Sequence, residues 1–146
     1  MKTFPLQPLL DLSNARKDDA ARRLGQLLAS EQEVGKTLAL LEQYREEYEG
    51  RFREAARNGL TRDEWGNYHT FLDRLDEAIA QQRSLVESSR QRTLDGQKNW
   101  LDQRNRAMAF DTLSQRHRAS EVRKEAKTEQ RAQDEHAAKL RRSESQ

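Results

Sequence analysis

The chain has 146 residues, 34% of them hydrophobic and 36% charged, with 27 Lys and Arg against 25 Asp and Glu. So little apolar material excludes a thick globular core and leaves either disorder or a narrow seam between long helices. The net charge of only +2 and the absence of cysteine argue against a dense basic nucleic-acid binder, and exclude disulfide or thiolate chemistry.

The opening stretch, 1–12, carries both prolines and an early acid, Asp11. It lacks the apolar run of a signal peptide, and no stretch approaches the roughly 20 apolar residues of a membrane span, so a cytoplasmic chain is expected. A first helix is predicted over about 8–57. One seven-residue row holds Ala20, Leu27, Val34, Leu41, Tyr48 and Ala55. Its companion row holds Leu10, Lys17, Leu24, Glu31, Leu38, Arg45 and Phe52. Two such rows are the seam of a two-stranded coiled coil.

A turn is predicted at 58–61. Gly59 suits the left-handed position that closes a helix. Thr61 with Glu64 three residues later is a capping box, flanked by Leu60 and Trp65 at staple positions. The second helix, about 62–140, carries its own seam: Trp65, Leu72, Ile79, Val86, Thr93, Trp100 and Ala107, beside Tyr68, Leu75, Gln82, Ser89, Gly96, Gln103 and Phe110. So short a turn forces the helices antiparallel. Facing positions should then have numbers summing to about 120, as Phe52 with Tyr68, Val34 with Val86, and Ala20 with Trp100 do. The expected fold is all-α, a single antiparallel two-helix coiled-coil hairpin. From Asp111 onward the longer second helix is expected to overhang without a partner.

Catalytic signatures fail one by one. Val34-Gly35-Lys36-Thr37 resembles the end of a phosphate loop, but Ser30 stands where the motif needs glycine, and no strand precedes it. His69, His117 and His136 are too dispersed for a metal site. On a thin hairpin no cleft could desolvate a carboxylate pair and shift its acidity. No enzyme activity, cofactor, metal or small-molecule substrate is expected. Acids interspersed among the basic residues make a solvated helix face the better reading than nucleic-acid binding.

Four stretches carry a family resemblance: Pro8-Leu9-Leu10-Asp11-Leu12; Asp19-Ala20-Ala21-Arg22-Arg23-Leu24-Gly25; Leu41-Glu42-Gln43-Tyr44-Arg45-Glu46-Glu47-Tyr48; and Asn58-Gly59-Leu60 through Trp65, Asn67-Tyr68, Phe71-Leu72, Leu75 and Glu77-Ala78-Ile79. Together they make the chain resemble the FliJ family, the stalk of the bacterial flagellar type III export apparatus. The resemblance implies a non-enzymatic coupling and chaperone-escort role at the inner face of the cell membrane. The implied partners are the hexameric export ATPase, the cytoplasmic part of the membrane export gate, and export chaperones. It places the gate contact on Phe71, Leu75, Ala78 and Gln82, the last where such sequences have histidine. Read from the residues alone, Phe71 and Ala78 each stand one position before a seam residue, on the helix flank. The alternatives are the analogous stalk of a virulence secretion system, and a general coiled-coil scaffold or nucleic-acid-binding hairpin.

Overall fold

The computed structural model describes residues 2–145. It is all-α: helix α1 spans Gln7–Asn58 and helix α2 spans Arg62–Glu144. Pro8 falls in the first turn of α1, where a missing backbone N–H costs no helical bond. At the other end Gly59 takes a φ of 91° and donates its N–H to the Ala56 carbonyl at 3.3 Å. The hydroxyl of Thr61 then accepts from the Glu64 N–H at 3.2 Å, satisfying one of the unpaired donors at the start of α2. A glycine that stops one helix and a threonine that starts the next leave only Gly59, Leu60 and Thr61 between α1 and α2.

The chain divides into two compact units, Ala20–Trp100 and the pair Met1–Asp19 with Leu101–Gln146. In the unit 20–100 the two helices pack antiparallel on the expected register. Every α1 position of the two rows in this unit is buried or half-buried, the charged Glu31 and Arg45 included. On α2, Leu72 and Ile79 are 7% and 5% exposed. Two side chains of α2 reach across to α1 backbone. The Gln82 amide donates to the Val34 carbonyl at 3.0 Å, and the Thr93 hydroxyl lies 3.4 Å from the Leu27 carbonyl. A β-carbon added at Gly96 would lie 2.5 Å from Leu27 Cδ1, so glycine at that layer admits the leucine of the other helix. Trp65 departs from its expected seam position. It is 52% exposed and leans on His69, with ring centroids 3.9 Å apart.

In the other unit the expectation that α2 is unpartnered from Asp111 is corrected. Ser114 is 3% exposed and Glu121 7%, and the Phe4 ring packs on His117 with centroids 5.6 Å apart. The His117 Nε2 lies 3.1 Å from the Lys2 carbonyl oxygen. Ser114, His117 and Glu121 continue the same seven-residue rows through Ala107 and Phe110. Their polarity hid them from a search for apolar periodicity, although spacing alone decides which positions face the neighbouring helix. Over 122–136 every residue is exposed.

Candidate docking surface near the turn

Within the unit 20–100 the two flanks of the seam differ in chemistry. On one flank, ion pairs tie the helices together. Arg45 Nε donates to Asp76 Oδ1 at 2.5 Å while its Nη1 donates to Glu49 Oε2 at 2.7 Å, and Arg83 meets Glu42 at 3.3 Å. The hydrogen bond to Asp76 holds the Arg45 guanidinium above its usual acidity constant, overcoming the opposing cost of partial burial, with the Asp76 and Glu49 charges assisting. The sequence pairs Arg45 with Leu75 across the seam. The structure carries its guanidinium outward to the acids at the seam edge, as a long stem permits.

The opposite flank is open and aromatic. Phe71 packs on Tyr48 with ring centroids 4.3 Å apart, yet remains 43% exposed, and Tyr44 beside it is 53% exposed. Tyr44, Glu47, Tyr48, Arg51, Phe71 and Leu75 line a groove of about 290 Å³. That is at the lower edge of the roughly 300–1,000 Å³ of small-molecule pockets, and it suits one or two inserted side chains of a protein partner. Closer to the turn the Phe52 ring bridges Tyr68 and His69, at 5.5 and 5.2 Å between centroids, and Tyr48 meets Tyr68 at 5.2 Å. Offset and edge arrangements of this kind are the favoured geometries of aromatic pairs.

The four residues expected at the gate contact form one stripe of α2, but they do not share one environment. Phe71 and Leu75 line the groove. Ala78 is half-buried on the same flank. The Gln82 amide is engaged across the seam with Val34, and its part-buried position makes it a tie between helices. What sequence reasoning missed is the α1 half of the groove: Tyr44, Glu47, Tyr48 and Arg51. A signal for it existed. Tyr44 stands one residue before seam position Arg45, as Phe71 stands one before Leu72, and in an antiparallel pair those flanks adjoin.

The remaining candidates are accounted for locally. Gly35, Lys36 and Thr37 lie inside α1; Thr37 donates its hydroxyl to the Glu33 carbonyl at 3.1 Å, and Lys36 pairs with Glu33 at 3.9 Å. His69 and His117 serve in aromatic contacts, and His136 is exposed. No helix among the described residues is long and apolar enough to cross a membrane.

A family model described as the Flagellar FliJ protein matches residues 1–145. The chain belongs to the flagellar FliJ protein family. The Flagellar FliJ protein of Salmonella typhi is 32% identical over 132 residues, covering 90% of each chain. That of Escherichia coli strain K12 is 30% identical over the same span and coverage. Among solved structures, the Chlamydia trachomatis protein CT670, described as a YscO homolog, matches with a TM-score of 0.57 at 17% identity. The match covers 97% of this chain and 96% of that one, and at this identity it speaks to the FliJ chain's fold alone.

Proposed function

We propose that this FliJ-family chain is a non-enzymatic stalk and coupling component of the flagellar type III protein export apparatus. It links the hexameric export ATPase to the membrane export gate and escorts unloaded export chaperones. The chain works in the cytoplasm, peripherally at the inner face of the cell membrane. The supporting observation is the asymmetry of the turn-proximal flanks: ion pairs close one, while the other exposes Tyr44 and Phe71, with Phe71 packed on Tyr48. Exposed aromatics backed by fixed packing are the usual anchors of protein interfaces. The resemblance assigns Phe71, Leu75, Ala78 and Gln82 to the gate. In this reading Phe71, Leu75 and Ala78 touch the gate, Tyr44 and Tyr48 complete the surface, and Gln82 holds its two helices in register.

The test is direct binding to the cytoplasmic part of the gate. Phe71→Ala combined with Ala78→Asp should weaken it by at least about tenfold, or 1.4 kcal/mol, because an apolar contact is lost and a charge must be desolvated. Circular dichroism should barely change, since Leu72 and Ile79 stay in place. Unaltered affinity in a folded double variant would remove this surface from the gate contact. A chain ending at residue 121 should lose stimulation of the export ATPase while keeping gate binding, and undiminished stimulation would rule out the exposed end of α2 as the part that engages the ATPase.

A further inference from the structure

Two dipeptides in this chain have the composition that forms a succinimide, Asn58-Gly59 and Asp95-Gly96. In each, a glycine offers its backbone nitrogen to the preceding side-chain carbonyl with no β-carbon in the way. We infer that Asn58 is a site of spontaneous covalent modification, converting to aspartate and isoaspartate at the turn, whereas Asp95 is protected by the helix that holds it.

The local environments separate the two. Asn58 is the last residue of α1, is exposed, and makes no side-chain hydrogen bond among the described residues. Gly59 lies outside both helices with a φ of 91°, has open space around it, and is held only by a long 3.3 Å bond to the Ala56 carbonyl. Helix ends open at little cost, so the Gly59 nitrogen can swing toward the Asn58 side chain by loosening one turn. Asp95 and Gly96 lie deep within α2. Gln91 donates to the Asp95 carboxylate at 3.3 Å, and Leu27 occupies the space where a Gly96 β-carbon would stand. Bringing the Gly96 nitrogen to the Asp95 carboxyl requires breaking the middle of a packed helix.

The chemistry balances with water alone. The Gly59 amide nitrogen attacks Asn58 Cγ, its proton leaves with the side-chain nitrogen as ammonia, and a five-membered imide closes. Water then opens the ring at Cγ to give aspartate, or at the backbone carbonyl to give isoaspartate. The isoaspartyl product lengthens the main chain by one methylene. Both products add a carboxylate at the C-terminal end of α1, where the helix dipole opposes negative charge.

The full chain would be incubated in mildly alkaline buffer, folded and in concentrated urea, and followed by peptide mapping and isoaspartyl methyltransferase labelling. Folding should slow conversion at Asp95 on the order of tenfold or more beyond any slowing at Asn58, because only the former needs a large opening. Asn58→Gln, whose longer side chain disfavours the ring, should abolish the signal at the turn and leave the urea reaction at Asp95 unchanged. Equal protection of both sites by folding would overturn the proposal. So would an intact Asn58 in the folded chain under conditions where the urea-treated chain converts.

Discussion

The unit 20–100 and the unit built from both ends of the chain use one seven-residue spacing to bury very different side chains. Near the turn the seam is Leu72, Ile79, Tyr48 and Phe52, backed by cross-helix ion pairs and side chain–backbone bonds. In the other unit the corresponding positions are Ser13, Ser114, His117 and Glu121, with Leu10 and Ala107 the buried apolar residues among those described. Geometry makes a position inward-facing, and side-chain chemistry decides how much free energy that burial yields. A Leu or Ile removed from water contributes about 1.5–3 kcal/mol, whereas a Ser contributes little and a Glu opposes the packing.

That comparison breaks most clearly at its core. Ile79→Ala should lower unfolding free energy by about 3 kcal/mol in urea titration, and Leu41→Ala, the less buried residue of the same layer, by about 2. Ser114→Ala, though 3% exposed, should change it by under about 0.5 kcal/mol. A comparable loss at Ser114 would mean that the polar layers matter as much as the apolar ones. Glu121→Leu should act in the opposite direction, raising stability by about 1 kcal/mol, since a charge leaves the seam and an apolar side chain replaces it.

The glycines sharpen the comparison at a smaller scale. Gly25→Ala adds a methyl group into open space and should stabilise by about 1 kcal/mol through helix propensity. Gly96→Ala meets Leu27 and should lose most of that gain, ending within about 1 kcal/mol of the parent because the leucine end must shift. Equal stabilisation by both would show that Leu27 adapts without cost. Thr61→Ala should cost about 1 kcal/mol by removing the cap of α2. Hydrogen exchange checks the boundary within the second unit: amides over 122–136 should exchange much faster than those at Ala107 and Ser114, since the former are all exposed and the latter buried.

Smallest of all should be the ion pairs. Removing Arg83 should cost about 0.5 kcal/mol at low salt and less at high salt, because both partners are largely exposed. The register itself is open to crosslinking. Cysteines replacing Val34 and Val86 should join within one chain, and a pair replacing Val34 and Trp100 should not.

By itself the sequence determined the helices, the turn and the register. Each rests on local chemistry or on spacing: a glycine and a threonine cap within four residues, and rows whose facing numbers share one sum. Tertiary structure alone decided three other things. Seam positions filled by Ser114, His117 and Glu121 are buried because the helix turn carries them inward, and hydropathy cannot report that. Trp65 lies outside and leans on His69 of its own helix, a contact that the seven-residue spacing does not report. The groove needed both helices, since Tyr44 and Tyr48 meet Phe71 and Leu75 only after the antiparallel alignment brings the two flanks side by side. Which flank is closed by ions and which stays open depends on where long side chains such as Arg45 and Gln82 reach, and reach is a three-dimensional quantity that no linear pattern encodes.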